Sequence, residues 1–269
     1  MVLIETLKIF MKINKLRLKS AAKAMSWHFA GSLLVAFMVA AVVFGVWFPY
    51  PYRQLAGGTE LFFLIMAVDI VCGPLLTMVL FNPAKPKREL FMDLSLVVVL
   101  QLAALAYGIW TVHQARPLYL VHEVDRFKVI ALADVDAAEL AKLPEALQPS
   151  LFKGPQTVGL RDASKDERET VMFESVQGGR DYGERPGFYV AYDAAQAAKT
   201  YAKAKPLETF AQKHPSQQAD IDKLQTQAGE SAGRAASQLR YLPIIARQDW
   251  VAVLNPPGVV VGYLQGDGF

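Results

Sequence analysis

The sequence has little charge and a single cysteine. Only 20% of the 269 residues are charged, whereas 53% are hydrophobic and mean hydropathy is positive, at +0.22. A soluble domain carries about 25% charged residues, so the composition excludes one soluble globule, and its hydrophobicity excludes a disordered chain. One cysteine excludes a disulfide scaffold and a cysteine-based zinc site. The net charge of +3 is too small to indicate nucleic-acid binding, so we expect no nucleic-acid partner.

Charge is nearly absent from three long runs in the first part of the chain. Residues 29–48 and 94–112 hold no charged residue, and residues 61–81 hold only Asp69. At a rise of about 1.5 Å per residue, each run covers about 30 Å, the thickness of the hydrocarbon core of a bilayer. The alternative, buried core helices, is disfavoured because such helices are shorter and carry a polar stripe. The pattern therefore predicts a transmembrane region at 29–112 with three helices.

Lysine and arginine are distributed unevenly around these runs. Six of them precede the first run, one lies in 49–60 and three lie in 82–91. Loops rich in lysine and arginine stay in the cytoplasm. The bias therefore predicts a multi-pass membrane protein with a cytoplasmic N terminus. Residues 49–60 and the whole of 113–269 are then expected outside the cytoplasm, where a domain without cysteine fits a bacterial periplasm or another extracytoplasmic face.

The segment 1–28 is basic and periodic. Its lysines recur at intervals of three or four residues, which places them on one helical face: Lys8, Lys12, Lys15, Lys19 and Lys23. The spacing predicts a cytoplasmic amphipathic helix lying on inner-membrane lipid. The alternative is a charged tail that only sets the topology.

Residues 113–269 alternate strand-like and helix-like patterns. Strands are predicted at 118–122, 127–132, 157–160, 188–192, 241–246, 250–255 and 259–264, and helices at 136–147, 165–177, 193–204, 206–214 and 216–236. Strands at both ends with helices between them indicate an α+β fold. The fold class is therefore a membrane protein with three transmembrane α-helices followed by a periplasmic α+β domain.

Motifs that would indicate catalysis are missing from this domain. His122 and His214 have no cysteine, aspartate or glutamate at metal-ligand spacing. No phosphate loop, dinucleotide fingerprint, zincin motif or nucleophile elbow is present. We therefore expect no catalytic residue, no cofactor and no metal, and a protein that is not an enzyme.

Asp69 is the one charge inside a predicted span. A carboxylate at this depth costs a few kcal/mol, so it should face protein and be paired or protonated. Helical rise places Tyr107 of the third run level with Asp69, whereas Gln101 lies nearer the cytoplasmic edge, and no Lys, Arg or His shares the depth. The sequence leaves two roles open. An Asp69–Tyr107 hydrogen bond could hold spans two and three together, or the carboxylate could be available to another membrane helix.

Gly73 and Pro74 follow Asp69 by one helical turn. Proline removes a backbone hydrogen bond and kinks a helix, and the carbonyl freed near Ile70 needs a donor. A kink beside an intramembrane acid could form a groove for a partner. It could equally be ordinary irregularity, because proline is frequent in transmembrane helices.

A series of motifs extends from the second run into the first strands of the following domain. They are the run 58–77 with Asp69, Gly73 and Pro74, then Asn82-Pro83, 85–90, Asp93-Leu94, Gln101-Leu102, Tyr107-Gly108, Ala115-Arg116-Pro117 and Glu123-Val124-Asp125-Arg126-Phe127. Together they resemble the motifs of a known family, the type IV pilin accessory proteins of the TfpX/TfpZ type. The resemblance is specific over roughly 58–132, weak over 133–240 and modest over the last strands.

The resemblance implies a partner and a role. The location would be the bacterial inner membrane, with the domain in the periplasm. The partner would be the cognate major type IV pilin, and the role that of an accessory or chaperone-like factor in pilin biogenesis and fimbrial assembly. Partner-binding or structural positions are implied within the matched motifs: Asp69, Gly73, Pro74, Gln101, Tyr107, Arg116, Asp125 and Arg126. The alternative is a membrane-anchored sensor or an assembly factor for another envelope machine.

Overall fold

The structure is a computed structural model that describes residues 2–232 and 238–269. Side chains are described from residue 15 to residue 228 and from residue 238 onward, so the predicted basic face at Lys8 and Lys12 lies outside the described residues. The end of the predicted helix 216–236 lies outside them as well. The chain forms two compact units: Met1–Gly45 with Thr59–His113, and Val46–Gly58 with Gln114–Phe269.

Helices and strands are numbered in chain order. The helices are α1 (Val2–Val42), α2 (Tyr52–Leu55), α3 (Gly58–Leu80), α4 (Lys87–Ala115), α5 (Ala137–Leu140), α6 (Lys165–Val176), α7 (Ala194–Lys203), α8 (Leu207–Lys213) and α9 (Gln218–Ala232). The strands are β1 (Pro117–Glu123), β2 (Arg126–Ala131), β3 (Gln156–Leu160), β4 (Tyr189–Ala191), β5 (Lys205–Pro206), β6 (Arg240–Ile245), β7 (Trp250–Leu254) and β8 (Val260–Gln265).

The first unit consists of α1, α3 and α4. Helix α1 continues as a π-helical turn at Val43–Trp47. Three segments are long and apolar enough to cross a membrane: Lys15–Trp47, Gly58–Leu80 and Lys87–Ala115. The fold class predicted from the sequence is confirmed, since three such helices precede an α+β domain.

The α4 helix begins seven residues before the predicted third span. The predicted span begins at residue 94 because charged residues precede it in the sequence. In the structure Lys85 Nζ lies 2.6 Å from Asp93 Oδ2 and 3.2 Å from Glu89 Oε1. These ion pairs place the first turns of α4 against the connector that follows α3, so charged residues are part of the helix.

The second unit is built on one mixed sheet. The strand order is β4-β3-β1-β2-β6-β7-β8, with β5 paired to β6. β1 and β2 form a tight hairpin that pairs Glu123 with Arg126, and β2 lies parallel to β6. The strands predicted at the two ends of the domain therefore meet in the middle of the sheet.

Helices α6 and α7 of this unit begin at sequence-encoded caps. The Ser164 side chain accepts the N–H of Glu167, while the carboxylate of Glu167 accepts the N–H of Ser164. Asp193 caps α7 by accepting the N–H of Gln196 at 2.9 Å. Such caps satisfy backbone donors that a helix start leaves unpaired.

The connector between the first two spans is part of the sheet domain. Tyr52 and Leu55 of α2 belong to the apolar cluster that contains Leu120, Leu242 and Trp250, and Leu55 is fully buried. The sequence predicts only a loop at residues 49–60. Apolar side chains on a four-residue helix are too few for a pattern, so only the fold shows what they cover.

Candidate functional site

Helices α3 and α4 pack through glycine. Ile65 occupies the space beside Gly108, where an added Cβ would lie 2.2 Å from Ile65 Cγ2. One end of the interface is polar, because Gln101 Nε2 donates to the backbone carbonyl of Asp69 at 2.9 Å. A Cβ at Gly73 would lie 2.0 Å from the same Gln101 nitrogen. Gly73 therefore makes the space through which Gln101 reaches α3.

Gln101 acts where Pro74 interrupts the hydrogen bonds of α3. Proline has no N–H for the carbonyl of Ile70, one turn earlier. The Gln101 amide donates to the adjacent carbonyl, that of Asp69. Neighbouring helices commonly satisfy the backbone around a transmembrane proline in this way. Gln101 thus bonds the carbonyl next to the one that Pro74 frees, not the freed carbonyl of Ile70 itself.

The predicted Asp69–Tyr107 hydrogen bond is wrong. Tyr107 is 68% exposed, and its ring packs beside Trp110 at a centroid distance of 5.9 Å. The prediction aligned the spans at residues 81 and 94, but α4 begins at Lys87 and Gly108 lies opposite Ile65. This register places Asp69 level with positions between Gln101 and Gly108, and Tyr107 points away from α3.

The Asp69 carboxylate has no hydrogen-bond partner among the described residues, although both of its oxygens are buried. The backbone of Asp69, not its side chain, makes the contact with α4. An unpartnered acid inside a span is costly, and such residues generally face a bundle interior or a cavity. Of the two roles left open by the sequence, the geometry favours the carboxylate available to another group.

A histidine that the sequence analysis placed outside the spans belongs to this region. His28 Nδ1 lies 2.5 Å from Thr77 Oγ1, joining α1 to α3, and Phe44 packs edge-on against Phe62 further along the same helices. His28 meets α3 at Thr77, eight residues or about 12 Å along the helix from Asp69, so it lines the same cavity without sharing the depth of Asp69. The helix predicted over 1–28 continues without a break into the first span, and that continuity was the signal that could have placed His28 beside α3.

A cavity of about 260 Å³ lies among α1, α3 and α4. His28, Ser32, Asp69 and Gln101 supply its polar lining, and the remaining lining residues are apolar or glycine. Apolar walls with a few convergent polar groups are typical of binding sites. A polar group carried into the membrane by another helix could hydrogen-bond to Asp69 here, while apolar side chains fill the rest.

Arg116 is a buried structural residue of the second unit. It is 5% exposed, its Nη1 donates to the carbonyl of Ser150 at 3.1 Å, and its guanidinium lies 5.9 Å from the ring of Trp47. Burial lowers the pKa of Arg116 below the usual arginine value. The Trp47 indole also donates to Leu151 at 3.0 Å. Arg116 thus packs between the connector and the loop after α5.

Asp125 and Arg126 lie at the other end of β1, in the hairpin turn and at the start of β2. Asp125 is exposed, and Arg126 Nε lies 3.6 Å from Glu123 Oε2. Glu123 also accepts the N–H of Gly183 at 3.1 Å, and burial raises the pKa of Glu123. The structure therefore brings Arg126 to Glu123 but separates both from Arg116 by the length of β1, about 20 Å.

Within the described part of the chain, no group of three His, Cys, Asp or Glu side chains is placed to hold a metal ion. The helices and the sheet define a multi-pass membrane protein with an α+β domain, whose candidate site is the cavity at Asp69.

Comparison with known proteins assigns the family. The family model of "Fimbrial assembly protein FimB" matches residues 16–57, which include most of α1 and the buried connector. Over 261 residues the chain is 34% identical to "Fimbrial assembly protein, serogroup I" of Dichelobacter nodosus, covering 96% of this chain and 99% of that relative. It is 33% identical to the serogroup E1 protein over the same length, and 42% identical over 134 residues to the serogroup C1 and C2 protein, covering 50% of this chain and all of that relative. No solved structure matches. The chain belongs to the fimbrial assembly protein family, which confirms the family resemblance drawn from the motifs.

Proposed function

We propose that the protein is a non-catalytic accessory factor of the bacterial inner membrane that binds type IV pilin and assists its assembly into fimbriae. Its N terminus would lie in the cytoplasm and its sheet domain in the periplasm. The family supports a role in fimbrial assembly, since relatives that match along almost the whole chain carry that name. The lysine and arginine bias supports the orientation.

The buried connector supports this topology independently of charge. Residues 46–58 join the first two spans, and they fold into the same unit as residues 114–269. A segment can pack into the core of a domain only if both lie on the same side of the membrane. Three crossings produce that arrangement, with residues 81–86 on the opposite side.

The unpartnered Asp69 carboxylate in the cavity among α1, α3 and α4 is the observation that carries the proposal. A fimbrial subunit waiting in the membrane would present a transmembrane helix to this bundle. A polar group of that helix could reach Asp69, and its apolar side chains could fill the cavity. A hydrogen bond between membrane helices contributes about 0.6 kcal/mol on average and up to about 1.7 kcal/mol, which suits a transient helper.

Co-isolation of pilin tests the binding. The tagged full-length chain is purified in mild detergent from cells that express the cognate pilin, and bound pilin is quantified by immunoblot. Asp69→Leu should reduce bound pilin several-fold, while Asp69→Asn, which keeps the hydrogen-bonding groups, should retain most of it. Tyr107→Phe is the matched control and should bind as wild type, because Tyr107 lies on the exposed face of α4.

The amount of each variant in the membrane fraction must equal that of the wild type. Asp69→Leu should insert normally, since Asp69 contacts α4 through its backbone. Equal pilin recovery with Asp69→Leu and wild type would refute the role of the cavity. A loss of pilin binding with Tyr107→Phe would instead support the Asp69–Tyr107 hydrogen bond, which the structure does not contain.

Reporter fusions test the topology. Alkaline phosphatase should be active when fused after Phe269 and inactive when fused after Lys87, because the enzyme folds only in an oxidising compartment. The reverse pattern would contradict the proposed orientation.

A further inference from the structure

A second cavity, of about 740 Å³, lies in the sheet domain, far along β1 from Arg116. We name it the hairpin cleft. Its walls are the β1–β2 hairpin, the segment that follows β3, and one face of α7. Its volume is within the range of about 300–1,000 Å³ seen for ligand pockets.

His122 provides a buried polar group in the hairpin cleft. It is 8% exposed, it lines the cleft, and its Nε2 has no hydrogen-bond partner among the described residues. Burial lowers the pKa of His122 to about 4, so the imidazole is neutral at pH 7. Buried polar atoms are nearly always paired in native proteins. An unpaired ring nitrogen at a cleft therefore points to a ligand with a hydrogen-bonding group.

The charge of the hairpin cleft favours an anion. Five basic side chains line it: Arg126, Arg161, Arg168, Lys199 and Lys203. Three acidic side chains do so as well: Glu123, Asp162 and Asp181. Arg126 is paired with Glu123, and Arg161 with Glu167. The charge for an anion therefore comes mainly from Lys199 and Lys203, which lie one turn apart on the exposed face of α7.

Val124 adds an apolar contact at the edge of the cleft. Its φ is +35°, in the left-handed region that favours glycine or asparagine, and its side chain is 76% exposed. A β-branched residue in this region is a genuine outlier, and such strain is concentrated at functional sites. Val124 neither stabilises the turn nor fills the core, so its apolar side chain is available to a ligand.

We propose that the hairpin cleft binds a short peptide segment in which a carboxylate side chain lies next to an apolar one. The carboxylate would contact His122 and the lysines of α7, and the apolar side chain would contact Val124. The inference rests on the sheet domain alone. It remains testable whether or not Asp69 contributes to pilin binding.

The experiment measures peptide binding to the full-length chain in detergent. The probe is a fluorescein-labelled hexapeptide of alternating glutamate and valine, followed by fluorescence anisotropy. The same peptide with glutamine in place of glutamate should bind much more weakly. Equal binding of the two peptides would overturn the proposal, because it would show that the carboxylate is not recognised.

Variants of α7 localise the site. The pair Lys199→Gln with Lys203→Gln should weaken binding roughly tenfold, the loss expected for one charge-assisted hydrogen bond. The matched pair Lys165→Gln with Lys223→Gln makes the same change in net charge at exposed lysines outside the cleft, and it should leave affinity unchanged. Equal losses in the two pairs would show non-specific charge attraction and overturn the proposal.

Val124→Gly separates binding from stability. It should weaken binding of the probe while raising the melting temperature, since the side chain is lost and the strained turn is relieved. Unchanged affinity would overturn the apolar part of the proposal. Competition with free glutarate completes the experiment. Displacement of the probe by glutarate at equal concentration would show that the cleft binds small carboxylates, and this would overturn the peptide assignment.

Discussion

The backbone carbonyl of Leu55 accepts a hydrogen bond from the N–H of Gln248 at 3.1 Å, so the connector between two membrane spans is tied to the β6–β7 turn. The rings of Tyr52 and Tyr263 also meet edge-on at a centroid distance of 6.3 Å. These contacts make the connector a structural element of the sheet domain.

Leu55→Ala should therefore destabilise the sheet domain. Removing a fully buried leucine side chain costs about 2–5 kcal/mol, because a cavity remains. Thermal unfolding of the detergent-solubilised chain, followed by tryptophan fluorescence, should show a lower melting temperature. The exposed neighbour Gln54→Ala is the control and should change little. Equal melting temperatures for the two variants would contradict the burial of the connector.

The Gly108–Ile65 contact predicts a compensating pair in the membrane bundle. Gly108→Ala should destabilise the packing of α3 on α4 by about 1–3 kcal/mol, the usual cost of overpacking. Adding Ile65→Ala should recover part of that loss, because it removes the methyl group that the new Cβ meets. Unfolding in sodium dodecyl sulfate, monitored by circular dichroism, gives the three free energies. Strictly additive effects would show that the two residues do not touch.

Val124→Asn should stabilise the β1–β2 hairpin. Asparagine tolerates the left-handed region, whereas a residue with a Cβ otherwise loses about 1–2 kcal/mol there. The melting temperature should rise. Val259→Asn, at another exposed valine outside the left-handed region, should not raise it. A decrease with Val124→Asn would show that the turn is not strained.

The buried His122 predicts a dependence of stability on pH. Its folded-state pKa of about 4 lies below the usual value of 6.5, so between these values the unfolded chain binds the additional proton. The contribution is complete above pH 6.5 and is lost as pH falls towards 4, by at most about 3 kcal/mol.

His122→Phe removes this titration and keeps a ring beside Phe127. The urea midpoint of the wild type, measured against that of His122→Phe, should therefore fall between pH 7 and pH 4.5. Glu123 is present in both proteins, so its raised pKa cancels from the difference. Parallel pH profiles would mean that His122 titrates normally.

Patterns long enough to be periodic were predictable from the sequence. The three apolar helices and the strands from Pro117 to Ala131 and from Arg240 to Gln265 follow from span length and β-branched composition. The register between helices did not follow, because assigning Tyr107 to Asp69 required the starting residue of α4. The helix begins at Lys87, seven residues or about two turns before the predicted span, and this is enough to exchange Tyr107 for Gln101, which lies six residues away.

Contacts between segments that are remote in the chain could not be predicted from the sequence either. Nothing in residues 46–58 identifies β7 as their neighbour, since contacts between remote segments are set by the whole sheet. His122 presented the same difficulty. It was recognised as isolated in the sequence, but its unpaired nitrogen and the lysines of α7 come together only through the fold.

The buried connector also fixes an order of events during synthesis. Leu55 is translated 195 residues before Trp250, an interval of about 10–40 s at 5–20 residues per second. Throughout that interval the apolar side of α2 lacks the strands that cover it. In the proposed topology the domain can close only after β6 and β7 have crossed the membrane, which requires that all three spans have been inserted.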